Sequence, residues 1–282
     1  MGDLLRWNQA LADGTLPGLD ALETQGVVTG GRTIEYALGL YIQRYRGTRE
    51  VAHAGSTAGY RAYLARYPEH GLSVALLCNA ASANPSGAFR AVDAILGDRL
   101  RDEAPAPAAA VPMEGAELER RAGMYRNRRT GAPLRLVMAD GKLRAGNTEL
   151  VPVGPAAFRL GSTRVEFADG PAAGGRVVYP DGDTMVFEPA PPADTTAANL
   201  ASYAGEYRSD EAEAAYTVAV ENGTVMLRMR PGTAFRLVPL YADGFAGPGG
   251  MVVRFIRGAD GRVEAFTITV ERVRGLRFDR VR

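Results

Sequence analysis

An internal repeat in the second half of the chain constrains the fold most strongly. Residues 118–126 and 200–208 share the pattern Leu-x-x-x-Ala-Gly-x-Tyr-Arg. Fifteen residues after each tyrosine comes a turn dipeptide, Asp-Gly at 140–141 and Asn-Gly at 222–223. A repeat of this length indicates two copies of one structural unit, each with its own core.

Each copy has the pattern of short antiparallel strands. Apolar and polar residues alternate, and Asp-Gly, Asn-Gly and Pro-Asp-Gly turns separate the runs, which predicts two small β-barrels. A Leu-Val-Pro triplet begins at Leu150 and Leu237, and the second copy carries five extra residues between its turn and this triplet. We expect the glycine of the Gly-x-Tyr-Arg motif to allow a close approach and the tyrosine to plug the barrel floor. These regions resemble the lipocalin-like accessory domains that follow the catalytic domain in D-aminopeptidase relatives.

A second set of motifs lies before the repeat. In order, these are Asp3-Leu4-Leu5-Arg6-Trp7, Tyr36-Ala37-Leu38-Gly39-Leu40, the box His53-Ala54-Gly55, the dipeptides Ser56-Thr57 and Gly59-Tyr60, and an apolar run that ends at Asn79. Their order and spacing resemble the penicillin-recognising serine hydrolases of the class C β-lactamase, D-aminopeptidase and esterase type. The resemblance covers residues 1–100 and implies a sheet in which the His-x-Gly strand lines one side of an acyl pocket.

The single lysine of the chain, Lys142, bears directly on this resemblance. The family acylates a serine in a Ser-x-x-Lys motif, assisted by a Tyr-x-Asn tyrosine. Because Ala139 stands three residues before Lys142, the chain contains no Ser-x-x-Lys. Its one Tyr-x-Asn starts at Tyr125 inside the repeat, where the second copy has Tyr207-Arg208-Ser209, so we assign it to structure. We therefore interpret residues 1–101 as the carboxy-terminal part of such a hydrolase domain, beginning after both motifs.

The resemblance also assigns candidate site residues. The catalytic candidates are His53, Ser56 and Tyr60, and the substrate-binding candidates are Gly55, Thr57 and Gly59. In the family the amide after the box glycine, here that of Ser56, supplies half of the oxyanion hole, and the nucleophile supplies the other half. Glycines in such a strand leave room for a bound acyl group. His53 is a candidate base toward water or toward Ser56; the alternative is a purely structural hydrogen bond.

The predicted fold class is α+β, with a truncated β-lactamase-like antiparallel sheet and helices followed by two lipocalin-like antiparallel barrels. The predicted segments are 1–101 for the partial hydrolase domain, 102–115 for an Ala/Pro linker, 116–190 for the first barrel and 191–282 for the second. Within the first segment, the pattern predicts strands at 34–45, 50–54, 59–67 and 72–79 and a helix over 85–100.

The apolar run at 72–79 predicts a strand edge that a second copy or a barrel must cover, which favours a homodimer. With 33 basic and 32 acidic residues the formal charge is +1, so we expect neither nucleic acid nor a membrane surface as a partner. No apolar stretch reaches membrane-spanning length. As written, without a signal peptide, the chain is expected in the cytoplasm, although complete relatives are commonly exported.

Two histidines and one cysteine, without His-x-x-x-His or Cys-x-x-Cys spacing, make a poor metal ligand set. We expect no cofactor, and a divalent ion held by His53 with carboxylates stays an open alternative. Three functions stay open: hydrolysis of small activated esters or phosphoesters around His53, a non-catalytic module that binds an apolar ligand or supports structure, and one half of a split serine hydrolase.

Overall fold

The computed structural model describes residues 2–15, 18–84, 86–101, 108–168, 170, 173–180, 182–230, 232–270 and 272–281. They belong to two compact units, Met1–Pro107 and Ala108–Arg282. Residues 102–107 of the predicted linker lie outside the described part of the chain.

The first unit contains a four-stranded antiparallel sheet with the order β1-β2-β3-β4. Its strands are β1 (Tyr41–Tyr45), β2 (Thr48–Thr57), β3 (Tyr60–Tyr67) and β4 (Leu72–Cys78), and its helices are α1 (Gly2–Ala12), α2 (Leu19–Glu23) and α3 (Ser86–Leu96). The sheet predicted for this segment is therefore present. The strand predicted over 34–45 is shorter, because Gly39 takes φ of 81° and the Ala37 amide bonds to the Leu40 carbonyl, which reverses the chain before β1.

The two faces of this sheet carry different cores. On one face α3 packs Val92 and Leu96 against Ala52, Tyr63 and Tyr67. On the other face Val51 packs with Ile42 and Ala37. Because side chains alternate along a strand, the second face is also the one that holds His53.

The second unit contains two closed barrels of eight antiparallel strands. The first barrel comprises β5 (Gly123–Asn127), β6 (Pro133–Ala139), β7 (Lys142–Ala145), β8 (Thr148–Pro152), β9 (Ala157–Leu160), β10 (Thr163–Phe167), β11 (Gly175–Val178) and β12 (Thr184–Pro189). The second comprises β13 (Gly205–Ser209), β14 (Ala214–Glu221), β15 (Thr224–Arg230), β16 (Thr233–Tyr241), β17 (Gly244–Ala246), β18 (Val252–Arg257), β19 (Val263–Val270) and β20 (Val273–Arg280). Short helices α4 (Gly115–Glu119) and α5 (Ala197–Ser202) precede the barrels. The two predicted barrels are confirmed, and the chain is mostly β, so the predicted α+β class describes the first unit better than the whole.

The repeat has equivalent positions in the two barrels. Asp140-Gly141 and Asn222-Gly223 form two-residue hairpins with φ angles of 52° and 72° in one copy and 49° and 73° in the other. The five extra residues of the second copy lengthen the next hairpin: β15 has seven residues where β7 has four, and Leu237 is the fifth residue of its strand where Leu150 is the third. The insertion thus lengthens the paired strands.

The repeated tyrosines close the barrels in the same way. The Tyr125 hydroxyl donates to the Arg121 carbonyl at 3.1 Å, and the Tyr207 hydroxyl donates to the Tyr203 carbonyl at 2.7 Å. Both rings are buried, so the Tyr-x-Asn tyrosine of the sequence has a structural role here. The aromatic clusters that fill the interiors are Tyr125, Phe158, Phe167 and Phe187 in the first barrel and Tyr207, Phe245, Phe255, Phe266 and Phe278 in the second.

Candidate functional site

The candidate site begins at the hairpin that joins β2 to β3. Thr57 pairs with Tyr60 across the two-residue turn Ala58-Gly59, whose φ angles are 44° and 86°. Positive φ at both turn residues is the type I′ geometry, which matches the twist of the strands. Gly59 therefore serves the turn, and the turn sets the register of the predicted site residues on β2.

Strand alternation divides these residues between the two faces of the sheet. Successive side chains point to opposite faces, so His53, Gly55 and Thr57 share one face while the Ser56 side chain lies on the other. Pairing with Thr57 puts Tyr60 on the His53 face. This geometry separates His53 from the Ser56 hydroxyl, and it disfavours His53 as a base toward that hydroxyl.

His53 instead forms an exposed cluster with two tyrosines. The Tyr36 hydroxyl and the His53 Nε2 are 3.1 Å apart, within hydrogen-bonding distance. The Tyr41 ring stacks on the imidazole at 5.9 Å with an interplanar angle of 28°, and it meets the Tyr36 ring edge-on at 4.8 Å. Tyr36 and Tyr41 were not among the predicted site residues, although Tyr36 belongs to one of the motifs that carry the family resemblance. An isolated bridge between the two residues across the reversal at Gly39 brings them together.

The backbone of β2 is open at the sheet edge beyond the end of β1. Closing pairs of two-residue hairpins are hydrogen-bonded, and hydrogen-bonded and non-hydrogen-bonded pairs alternate along an antiparallel ladder. Thr57 and Tyr60 form this closing pair, so the alternation makes the amides of Ala54 and Ser56 point away from β3. Strand β1 pairs with β2 only as far as Ala52. In the described part of the chain, the Ser56 amide therefore faces no β-ladder partner, as an oxyanion donor requires.

Gly55 lies between these two outward amides. A Cβ built at Gly55 would be 3.4 Å from the Ala62 Cβ, an ordinary van der Waals contact. The protein itself therefore tolerates a methyl group at this position. Any requirement for glycine here arises from what approaches the strand from outside.

A buried carboxylate supports the site from the opposite face. Glu50 is fully buried and accepts hydrogen bonds from the Tyr63 hydroxyl at 3.0 Å and from the Tyr67 hydroxyl. Gln43 donates to its second carboxylate oxygen. Burial, reinforced by the Glu50 charge and hydrogen bond, raises the pKa of both tyrosines. This network joins β1, β2 and β3 and holds the strand that carries His53.

An ion-pair group fixes α2 on the His53 face. The Glu23 carboxylate contacts Arg49 at 2.7 Å and also contacts the buried guanidinium of Arg66. Arg66 pairs with Val51 in the sheet, so both residues lie on the His53 face. Burial lowers the pKa of Arg66.

In the described residues, no helix is long and apolar enough to cross a membrane. Within the same residues, no group of three or more His, Cys, Asp or Glu side chains is arranged to hold a metal ion.

Comparison with known proteins finds a family likeness for part of the first unit. Residues 1–99, about a third of the chain, match the family model described as Beta-lactamase, which supports the coarser likeness to β-lactamase-type proteins. None of the curated proteins compared matches the chain. The comparisons do not name the barrels, so their lipocalin-like character stays a prediction.

Three solved structures show a distant likeness to this chain. The octameric penicillin-binding protein homologue from Pyrococcus abyssi is 19% identical, with a TM-score of 0.31, over 81% of this chain and 45% of that one. SurE is 16% identical with D-Leu present and 15% identical in a second structure. These matches have TM-scores of 0.28 and 0.27, over 95% and 93% of this chain. This chain spans 45% and 42% of the two SurE chains, so it covers less than half of each protein.

Proposed function

We propose that the protein is of hydrolase lineage and that β2, with Tyr36 and Tyr41, forms one wall of a site that hydrolyses small activated esters. The observation that carries this proposal is the placement of the outward Ser56 amide at the open end of the strand that bears the exposed His53–Tyr36 pair. The match of residues 1–99 to the Beta-lactamase family supports the same lineage.

The chemistry follows from the spacing along β2. His53 and Ser56 lie about 10 Å apart along the strand, at about 3.3 Å per residue. Three successive contacts of about 3 Å each can span this distance. The Ser56 amide contacts the substrate carbonyl oxygen, an attacking water contacts the carbonyl carbon, and the imidazole contacts that water. A substrate bound along the strand edge can therefore reach both groups.

The reaction would proceed as general-base hydrolysis. His53 takes a proton from water while the water oxygen bonds to the carbonyl carbon, and the carbonyl electron pair moves to the oxygen held by the Ser56 amide. When the tetrahedral adduct collapses, the bond to the leaving oxygen breaks and the imidazolium returns its proton to that oxygen. Tyr36 positions the imidazole through its hydroxyl, and Tyr41 restricts it by stacking.

Turnover of an aryl ester, measured with and without a chelator, tests this proposal. His53→Ala should abolish turnover, and His70→Ala is the matched control because His70 lies in the turn Pro68–His70 between β3 and β4. Equal activity in both variants would refute a role for His53. If the wild-type protein is active without chelator and inactive with it, the metal-dependent alternative is supported.

A backbone substitution tests the oxyanion donor separately. Proline at position 56 removes an amide that serves no ladder bond, so β2 can accommodate it as an edge residue can. We expect Ser56→Pro to lower kcat about 100-fold, whereas Ala54→Pro removes the neighbouring outward amide and should retain activity. Equal losses in the two variants would indicate general disruption of the strand.

A second candidate function is one half of a split serine hydrolase. It is favoured by the exposure of the His53 face, where Tyr36, Tyr41 and Tyr60 are solvent-accessible, and by the need for a second oxyanion donor. Mixing the protein with a segment that carries Ser-x-x-Lys and Tyr-x-Asn should produce labelling by a phosphonate or β-lactam. Failure to label in the mixture would remove this candidate.

For the barrels we infer a lipocalin-like architecture with a structural role. In a lipocalin, eight antiparallel strands follow one another in sequence order and the last strand pairs with the first. Both barrels close in this way, because β12 pairs with β5 and β20 pairs with β13. An eight-stranded barrel has room either for its own side chains or for one small ligand, and aromatic clusters occupy both interiors. Saturable binding of a fluorescent hydrophobe to the full chain would instead support the ligand-binding alternative.

A further inference from the structure

The hairpin that joins β14 to β15 carries the one Asn-Gly dipeptide of the sequence. Glu221 and Thr224 form its closing pair, and Asn222 and Gly223 form the two-residue turn between them. Both turn residues are exposed, and a Cβ built at Gly223 would meet nothing within 4 Å. The turn therefore projects into open space, where its side chain and backbone can move.

The two groups of this turn that can react with each other are both unengaged. Among the described residues, the Asn222 carboxamide and the Gly223 amide have no hydrogen-bond partner. Asparagine side chains in turns often bond to the backbone that follows them, and Asn127 does so, because its Oδ1 accepts from the Arg129 and Thr130 amides. Asn222 lacks this restraint, and Gly223 has no Cβ to shield its nitrogen.

We propose that Asn222 is a site of spontaneous deamidation. The Gly223 nitrogen bonds to the Asn222 Cγ, the bond from Cγ to the carboxamide nitrogen breaks, and that nitrogen leaves as ammonia with the proton that Gly223 gave up. Water then opens the five-membered succinimide ring: its hydroxyl goes to a ring carbonyl carbon and its hydrogen to the ring nitrogen. Addition at Cγ gives aspartate, and addition at the main-chain carbonyl carbon gives isoaspartate.

Local opening of the turn precedes the ring closure. The closed turn holds Asn222 in the left-handed region, with φ of 49°, and ring closure requires rotation about the bond between its Cα and its carbonyl carbon. Exposed loops open at a small cost in free energy compared with the core of a protein. The reacting groups belong to neighbouring residues, so each opening brings them together without a bimolecular encounter.

The first barrel shows that this turn accepts aspartate. At the equivalent position Asp140 has φ of 52° and is followed by Gly141 with φ of 72°. The aspartate product therefore fits the turn and adds a negative charge beside the ion pair of Glu221 with Arg228. The isoaspartate product adds one carbon to the main chain of a two-residue turn, which no longer matches the twist of the strands.

Asn147 is a matched control within the same chain. It is also exposed at the tip of a two-residue hairpin, between β7 and β8. The next residue, Thr148, is β-branched and forms the closing pair with Ala145, so its amide belongs to the ladder. We therefore expect Asn147 to stay intact under conditions in which Asn222 reacts.

Peptide mass spectrometry of the full chain, after incubation in mildly alkaline buffer, tests the proposal. The peptide that contains Asn222 should gain the mass that replacement of NH2 by OH adds, and the peptide that contains Asn147 should not. Chromatography should resolve isoaspartate as well as aspartate, since both arise from the ring. An unchanged Asn222 peptide, equal conversion at Asn147, or aspartate as the single product would overturn the proposal.

Two variants test the route and the outcome separately. Gly223→Ala strains the turn, because φ at this position is 73°, yet its methyl group shields the nitrogen, so conversion of Asn222 should slow. Faster conversion would show that opening of the turn, and not attack by this nitrogen, controls the reaction. Asn222→Asp should unfold at the same urea midpoint as the wild type; a lower midpoint would contradict the equivalence with Asp140.

Discussion

The Tyr241 hydroxyl of the second barrel donates a hydrogen bond to the Gly131 carbonyl of the first, at 2.5 Å. Tyr241 is fully buried, and the Arg126 guanidinium lies 5.6 Å from the centre of its ring. The Ala242 amide also donates to the Pro191 carbonyl in the connection between the barrels. The two repeats are therefore joined by polar contacts in addition to the chain that connects them.

Tyr241→Phe should reduce the stability of the barrel unit by about 1–2 kcal/mol, because the buried Gly131 carbonyl loses its donor. Urea unfolding followed by far-UV circular dichroism measures the change. Tyr179→Phe is the control, since Tyr179 is an exposed tyrosine of the same unit. Equal effects of the two substitutions would show that the contact between the barrels contributes nothing.

Glu23→Ala should destabilise the first unit by about 3–5 kcal/mol, because it leaves the Arg66 guanidinium buried without its partner. Trp7, the one tryptophan, lies in α1 and reports unfolding of this unit by fluorescence. Arg6→Ala breaks the exposed ion pair with Asp3 and should cost less than about 0.5 kcal/mol. A small effect of Glu23→Ala would contradict the role assigned to this group in fixing α2.

The first unit should lose stability in alkaline solution. Burial, together with a hydrogen bond to Asp93, raises the pKa of Tyr45 to about 12, and burial beside Glu50 raises that of Tyr67. A raised tyrosine pKa means that the folded state holds the proton more tightly. The stability that such a tyrosine contributes is fully present below its ordinary pKa of about 10. It is lost as pH rises through the pKa of the tyrosine in the folded state.

Above about pH 10, each such tyrosine makes the free energy of unfolding fall by up to about 1.4 kcal/mol for each pH unit. Tyr67→Phe should lower that slope when urea unfolding is followed by Trp7 fluorescence at several pH values. Tyr60→Phe, which changes an exposed tyrosine, should leave it unchanged. Identical slopes in wild type and Tyr67→Phe would contradict this assignment.

Gly55→Ala should lower ester turnover and leave the stability of the fold nearly unchanged. The new methyl group makes only an ordinary contact with Ala62, so stability should change little, while turnover of the aryl ester should fall by about 100-fold because the substrate is displaced. Gly59→Ala should behave in the opposite way, losing about 1 kcal/mol of stability because its φ is 86°. Full activity in Gly55→Ala would show that no substrate approaches this strand closely.

The sequence by itself was sufficient for the barrels, the four-stranded sheet and the Asp-Gly and Asn-Gly turns of the repeat. Turn dipeptides such as Asp140-Gly141 and the alternation of apolar residues act locally, between neighbours along the chain. The order and spacing of the motifs also indicated the likeness of residues 1–99 to the Beta-lactamase family. These features depend on composition and spacing, which a sequence displays directly.

Only the tertiary structure decided which groups meet. The family resemblance placed His53 with Ser56, yet strand alternation puts their side chains on opposite faces, and Tyr36 and Tyr41 contact the imidazole instead. The burial of Glu50 beneath two tyrosines and the outward direction of the Ser56 amide likewise follow from pairing between strands. Such contacts join residues distant in sequence, and the register of the sheet selects them, because a shift of one residue would exchange every inward side chain for an outward one.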